Sequence, residues 1–560
     1  MRAMSFAAAQ DAFFSHFFRH YPVHATDAGN HEHDDRWPDL TDAGMQARLD
    51  WLADTRGRLE AQDGLTTDEE IDRRVLLGVI DELRFEEEEL DELSWSPISY
   101  SYILGSGLFS LLSRDFAPRQ ARLASAAGRM EGIGDVLDAA RANLSSRRGR
   151  EVATFHVEKA IATMPGVADL CRTAASMAAE LDDTALRTRV ESTAEKAAGE
   201  VDEFVDWLRD DLLPRAHGDF RLGRDLYERK FGHALKATIS PDELERRAAA
   251  TYDEVRAEMA RLARELWPTW IGVEPMPDDS NALTRRVLDA IGEDHPKAGE
   301  LLDFCREEHR HIENFIRERD LIGLADEPLQ IIWTPPFLRA FGGAMLIPPG
   351  PLDKGLDSFF AITPPPDDWT DDQVTSMLRE NNGRALRVLT IHEATPGHYL
   401  QLAWSNRCDS LARSVFGSGV FAEGWAVYVT QVMMDVGYRA DDPAQMLAHW
   451  KYFLRATTNT LMDIRIHAGT MTEEEAMTLM VDGGFQEESE AREKWSRARL
   501  SSTQLCSYFL GSQEMTDLER EARRRAGDAF EWRPFLESVI SHGTPPMPVI
   551  RDILFAEVPA

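Results

Sequence analysis

The stretch His392-Glu393-Ala394-Thr395-Pro396-Gly397-His398-Tyr399-Leu400-Gln401 decides how this chain is read. It holds two imidazoles and a carboxylate close together in sequence. The residues just before it, Arg384 to Ile391, carry an apolar helical pattern. A helix that delivers His-Glu into a site is how zinc hydrolases begin. Imidazole nitrogens suit zinc, and the adjacent Glu can take a proton from water. The usual zinc-protease signature spaces its two His at i and i+4. Here that second position is Pro396, and the next His is His398, at i+6. Six residues of regular helix rotate through about 600°, which sets the two rings on roughly opposite faces. They share a metal only if the helix is broken. Thr395-Pro396-Gly397 supplies a break, since proline removes a backbone donor and crowds the preceding turn while glycine relaxes the backbone. The other reading is that Pro-Gly ends one helix and His398 opens the next, with no metal involved.

Downstream, Val420-Phe421-Ala422-Glu423-Gly424-Trp425-Ala426-Val427-Tyr428 is an apolar helix start with one acid, Glu423. A buried carboxylate is expensive unless paired or bound to a metal. Glu423 therefore stands where a third ligand is expected, or else near a helix N-terminus stabilised by the dipole. Asp463 and His467 are four apart and share a helical face, which suits a carboxylate orienting an imidazole and equally a surface pair. Tyr508 and Gly511 lie in the apolar helix Gln504 to Gly511, where a buried hydroxyl needs a partner. His542-Gly543-Thr544-Pro545-Pro546 reads as a terminal turn without a role.

Upstream lies the strand-rich part of the chain. Leu329 to Thr334, Ala344 to Ile347 and Ser358 to Thr363 are β-branched or aromatic runs, each ended by prolines (Pro335-Pro336, Pro348-Pro349, Pro364-Pro365-Pro366). An open sheet edge beside a hydrolytic site can take an extended peptide as an added strand; a purely structural insert is the alternative. Thr370-Asp371-Asp372-Gln373 caps a helix that stops near Asn381-Asn382-Gly383.

Elsewhere the pattern is helical. Residues 5–20 form a Phe-rich amphipathic helix, and His16, His20, His24, His31 and His33 read as a surface cluster. Thr67-Asp68-Glu69-Glu70 reads as a capping box, and Glu86 to Glu89 as a solvated face. Residues 105–215 predict successive helices. Ser240-Pro241-Asp242-Glu243 opens a helix expected to stop near Leu266, ahead of Pro268. A helix over 297–320 carries His309 and His311 on different faces, which reads as solvated. The expected architecture is mainly α, a large multi-helical body with a small β-sheet beside the active-site helix. Residues 1–325 form a helical N-terminal region and 326–560 a catalytic-like region, integrated in one fold.

With 560 residues and 43% apolar side chains, the chain has the composition of a globular protein with a sizeable core. Its net charge of −35 repels phosphate backbones and anionic lipid, which argues against nucleic-acid and membrane roles. No apolar run approaches the roughly 18 residues of a spanning helix. The start of the sequence lacks the long apolar core of a secretory signal. The four cysteines, Cys171, Cys305, Cys408 and Cys506, have no metal-ligand spacing and read as thiols of a reducing compartment. A cytoplasmic protein is expected.

In their order and rough spacing over at least residues 240–556, these motifs resemble a bacterial family, the domain of unknown function 885, which is grouped with the gluzincin-like zinc peptidases. Its pattern is His-Glu-Ala-x-Pro-Gly-His-His-x-Gln, then Glu-Gly-Trp-Ala, Asp-x-x-x-His and a late Tyr-x-x-Gly. One departure is Tyr399, where the family often has a second consecutive His. Tyrosine is a poor zinc ligand. The resemblance implies a gluzincin-like metallopeptidase with one zinc ion, held by His392, His398 and Glu423. Glu393 would be general base, and His467 or Tyr508 would donate to the oxyanion. Tyr399 and Arg465 would contact a short peptide substrate. A metal-free peptide-binding relative and a metal-dependent amide or ester hydrolase remain as alternatives.

Overall fold

Side-chain caps set where many of the helices begin. Ser5 opens Phe6–His20, Thr41 opens Asp42–Glu60 and Thr66 opens Thr67–Phe85. The capping box of the last pairs Thr66 with Glu69, one residue earlier than the Thr67–Glu70 reading, because the amide of Glu69 donates to the Thr66 hydroxyl and the amide of Thr66 donates to the Glu69 carboxylate. The computed structural model describes residues 5–146, 150–335, 339, 343–366 and 368–555. Met1 to Met4, on which part of the leader reading rests, and Pro336 lie outside them. No described helix is long and apolar enough to cross a membrane. All four cysteines are unpaired.

The chain divides into two compact units. Unit 1 is Met1–Phe220 with Pro349–Leu356, and unit 2 is Arg221–Pro348 with Asp357–Ala560. The boundary read at 325 marks a change of composition, whereas unit 2 already takes in the long helices from Pro241 onward, whose apolar faces are buried on the later helix Pro443–His467.

Unit 1 is helical. Its first helix buries Phe13, Phe14, Phe17 and Phe18. His31 is no member of a surface cluster. Fully buried Arg129 donates to the Thr26 hydroxyl at 2.6 Å, Thr26 donates to Asp34 at 2.6 Å, and the His31 ring bonds Asp34 at 2.9 Å and Asp353 at 3.1 Å. The His31 ring also stacks on Phe116 at 3.8 Å. Burial alone would lower the His31 pKa, but the two aspartates outweigh it and push it up to about 9. The segment Pro349–Leu356 lies against this network backbone to backbone. A Cβ on Gly29, whose φ is +86°, would meet the Asp353 amide nitrogen at 2.5 Å.

Unit 2 carries the motifs, and its elements are numbered here. Helix α1 is Pro241–Trp270, α2 Ser280–Gly292 and α3 Leu301–Arg319. α1 runs past the expected stop at Leu266 because Pro268 falls in its last turn, where a missing N–H removes only one bond. The three expected strands form: β1 (Leu329–Trp333), β2 (Ala344–Ile347) and β3 (Ser358–Ile362). Their order is β1-β3-β2. β1 is parallel to β3, and β2 is antiparallel to it with Leu346 opposite Phe360. Then follow α4 (Asp371–Glu380), α5 (Gly383–Glu393), α6 (His398–Ser405), α7 (Gly419–Asp435), α8 (Pro443–His467) and α9 (Ser507–Ala526). Ile331, Phe360 and Ile362 of the sheet pack on Leu301, Leu302 and Cys305 of α3 and Leu386 of α5. That layer holds the sheet beside the His-Glu helix, and β2 is an edge strand of it.

Candidate metal centre

α5 ends at Glu393, and the chain then doubles back. Ala394 leaves the helix with φ −102° and ψ −104°, and the Thr395–Pro396 peptide is cis. The Gly397 amide donates to the Ile391 carbonyl at 3.0 Å. A Cβ on Gly397 would lie 2.0 Å from the His392 carbonyl oxygen, so only glycine fits where the chain crosses its own helix end. α6 begins at once with His398, whose ring meets that of His392 edge-on, centroids 4.7 Å apart. Two contacts hold the turn. Trp425 of α7 donates its indole N–H to the Pro396 carbonyl at 2.8 Å, and Thr395 bonds the His309 ring at 3.0 Å. His309 is thus largely buried against the turn, not solvated as its spacing suggested.

Glu423 comes from α7. Its Oε2 lies 3.4 Å from His398 Nε2 and 3.8 Å from His392 Nε2. One donor atom from each of the three side chains lies within 4.8 Å of the others, and among the described residues no other three His, Cys, Asp or Glu converge in this way. Two glycines bring in a fourth group. Gly424 of α7 and Gly511 of α9 cross so closely that a Cβ on Gly511 would meet the Val420 carbonyl oxygen at 2.0 Å and the Gly424 Cα at 2.6 Å. Tyr508 is one turn before Gly511, and its hydroxyl is near enough to Glu423 to help hold that carboxyl's pKa down. The Glu-Gly and Tyr-x-x-Gly motifs are therefore two halves of one helix contact.

Burial governs the electrostatics. It pushes the His392 pKa down to about 3, helped by the neighbouring His398. Burial would also lower His398, but Glu423 outweighs it and raises it. Glu423 in turn is held below the usual carboxylate range, since its histidines and Tyr508 more than offset burial. Glu393 goes the other way: burial raises its pKa, with Glu423 adding and His398 opposing. Its Oε2 accepts from the Leu346 amide of β2 at 3.1 Å, which ties the base candidate to the sheet edge. Burial pushes the Tyr508 phenol up to about 12.

The other singled-out residues lie elsewhere. His467 donates or accepts no bond in the cluster; its Nε2 bonds the Ala498 carbonyl at 2.8 Å and the Ser501 carbonyl at 3.0 Å. Asp463 accepts from the Thr503 amide at 2.8 Å, the Leu505 amide at 3.3 Å and the Tyr227 hydroxyl at 2.8 Å. The pair holds the loop that launches α9 and so places Tyr508 from behind. Tyr399 turns its hydroxyl to the Glu327 carbonyl. Arg465 pairs with Glu245 at 2.7 Å. Neither is engaged at the centre, because each is already bonded to its own neighbour. Thr544, in the turn read as having no role, bonds Gln401 and Ser405 of α6 at 2.8 and 2.9 Å, and its carbonyl receives the Ser418 amide that precedes α7. Sequence reasoning missed Tyr452 of α8, whose ring packs 5.6 Å from that of His392. Its run His449-Trp450-Lys451-Tyr452-Phe453 carries only an aromatic core signal.

A family described as bacterial proteins of unknown function, DUF885, matches residues 22–554. The chain belongs to this family. A candidate lipoprotein of unknown function from Shewanella oneidensis is 31% identical over 99% of this chain and 100% of its own, with a TM-score of 0.85. A candidate lipoprotein from Colwellia psychrerythraea shares the fold at 15% identity, with a TM-score of 0.77 over 96% of this chain and 95% of its own. None of the curated proteins compared matches.

Proposed function

We propose that this member of the family is a zinc-dependent peptidase of gluzincin-like architecture that cleaves short peptides. The observation that carries the reading is the convergence of His392, His398 and Glu423 beside the buried Glu393. The donor set fits a catalytic zinc ion. Two imidazoles and a carboxylate leave one tetrahedral position open, and ligands about 2.1 Å from an ion stand roughly 3.4 Å apart. The separations of 3.4 and 3.8 Å from Glu423 lie at or just above that. His392 is held neutral, as a ligand must be. The Ala426 backbone and the packed ring of Tyr452 orient this imidazole.

A bound zinc ion supplies Lewis acidity, which polarises the scissile carbonyl and draws the pKa of a water toward about 7. Glu393 takes the proton of the attacking water and passes it to the leaving amine. Its raised pKa suits both halves of that transfer, and the Leu346 amide fixes one of its oxygens. Tyr508 donates to the oxyanion, a contribution of about 3–4 kcal/mol for one such donor. The outer edge of β2 takes the substrate backbone as an added strand. The charge of −35 keeps nucleic acid and anionic membrane outside the reading. A cytoplasmic location belongs to the proposal too, resting on the four unpaired thiols; cell fractionation decides between it and the envelope location that the relatives' descriptions suggest.

The test is Glu393→Gln, assayed against a dipeptide-to-decapeptide library alongside elemental analysis. The expected variant keeps stoichiometric metal and loses hydrolysis. Full turnover in this variant removes the base assignment, and absence of metal after zinc loading of the wild type removes the reading altogether.

A further inference from the structure

We propose that a cleft next to the metal centre is a carboxylate-binding subsite that holds the anionic end of the substrate, with Arg455 and Lys451 as its recognition groups. The inference rests on the peptidase reading for the substrate being a peptide. The cleft has a volume of about 90 Å³, opens to solvent and lies among α2, α4, α5 and α8 of unit 2. Arg285, Arg379, Lys451 and Arg455 line it against Asp289, Glu380 and Glu487. The lining therefore carries an excess of positive charge in a chain with 62 basic and 97 acidic residues. Against that background, an anion is repelled less here than over the rest of the surface.

At the inner wall one carboxylate serves two cations. Glu380 accepts from Lys451 Nζ at 2.7 Å and from Arg455 Nη2, and the same Nη2 donates to Glu490 at 2.9 Å. Among the described residues nothing accepts from Nε or Nη1 of Arg455. Lys494 stands 3.8 Å from Glu490. Burial would raise the Glu380 pKa, but Lys451 and Arg455 drive it down to about 2, so it stays ionised and orients both cations. An ion cluster that served only to brace α4 on α8 would match its charges. Here Lys451 and Arg455 share Glu380, and the Arg455 Nε and Nη1, left without an acceptor beside an open cleft, can take a ligand anion.

Tyr452 joins the cleft to the chemistry. It lines the cleft, and its ring centroid lies 5.7 Å from the Arg455 guanidinium and 5.6 Å from the His392 ring. Leu389, one turn before His392 on α5, lines the cleft as well. One aromatic ring thus separates the cations from a metal ligand, a gap that about three extended residues span. A peptide whose carboxylate pairs with Arg455 places a bond no more than about three residues away beside Glu393. The carboxylate has two sources, a free C-terminus or an Asp or Glu side chain.

The experiment measures calorimetric binding to full-length, zinc-loaded Glu393→Gln protein. Three tetrapeptides are compared: a neutral sequence as free acid, the same sequence as C-terminal amide, and that amide with Glu as its last residue. At least one carboxylate peptide is expected to bind tenfold or more tighter than the neutral amide, and which one does so names the source. Asp289→Lys, at the exposed rim of the cleft, should widen that ratio several-fold and leave the neutral amide unchanged. Arg455→Gln should abolish the ratio; should it fail to fold, Asp289→Lys decides. Equal binding of all three peptides, no binding of any, or an equal effect of Asp289→Lys on acid and amide overturns the subsite. Carboxylate preference without hydrolysis by the wild type keeps the subsite and removes the peptidase reading. Hydrolysis of acid and amide with equal kcat/KM keeps the peptidase and removes the subsite.

Discussion

Substituting Gly511 by Ala tests whether one helix crossing sets the site. The added methyl would stand 2.0 Å from the Val420 carbonyl oxygen, 2.6 Å from the Gly424 Cα and 2.9 Å from its amide nitrogen. All three are backbone atoms, so no side chain can swing away. Reaching ordinary van der Waals contact requires α7 and α9 to part by at least about 1 Å. Overpacking of this kind costs about 1–3 kcal/mol, and the better helix propensity of Ala returns up to about 1 kcal/mol, so the net loss of stability is roughly 1–2 kcal/mol. Activity should suffer more. Tyr508 and Glu423 sit one turn and one residue from the contact on the two separating helices, and a displacement of about 1 Å in a catalytic group costs on the order of 100-fold in rate. The assay compares kcat/KM and the urea midpoint of Gly511→Ala, Tyr508→Phe and the double variant. If Gly511 acts by placing Tyr508, the double variant is little worse than Tyr508→Phe alone. Gly419→Ala, where a methyl meets nothing within 4 Å, is the control and should change neither quantity. Retention of kcat/KM within threefold by Gly511→Ala at an unchanged midpoint refutes the reasoning, as does full additivity in the double variant.

Four further outcomes are expected. His392→Ala should lose the metal by elemental analysis while its far-ultraviolet circular dichroism stays that of the wild type. Asp463→Asn should lower the thermal midpoint and cut kcat with metal content unchanged, since it loosens the loop before α9 without touching a metal-ligand candidate. Trp425→Phe removes the indole bond to Pro396 and should weaken metal affinity by about 10- to 100-fold, the usual effect of losing a support of the ligand shell, read by chelator competition. The His31 clasp should make stability fall with rising pH. Its folded pKa is raised to about 9 against an ordinary 6.5, so its contribution is complete below about 6.5 and disappears as pH rises through about 9. Discounted for a side chain that is 29% exposed, it amounts to roughly 1–2 kcal/mol. Urea unfolding at pH 6 and pH 9.5 should show that drop in the wild type and not in His31→Gln.

Local chemistry made the elements legible. Pro-bounded apolar runs became β1, β2 and β3, and Thr370 with Gln373 caps α4 as its spacing indicated. The residues that converge at the centre were also legible, because the break at Thr395-Pro396-Gly397 is a backbone feature that proline and glycine announce. Long-range choices were not. Asp463 and His467 have the spacing of a reactive pair, yet backbone groups some 30 to 40 residues onward, which no local pattern reveals, take up their bonds. His309 sits on a helix that reads as solvated until the Thr395 turn covers it. Tyr452 looks like any aromatic on a buried helix face. The Arg129–Thr26–Asp34–His31–Asp353 chain joins parts of the sequence more than three hundred residues apart, beyond any periodicity.

The passage of Pro349–Leu356 into unit 1 has a practical corollary. The connection between β2 and β3 belongs to unit 1, so no single cut separates the two units. A truncation beginning at Arg221 would carry a loop whose Gly350 and Asp353 were shaped for Gly29 and His31, now missing. Dissection of this protein calls for replacing that loop with a short turn rather than merely shortening the chain.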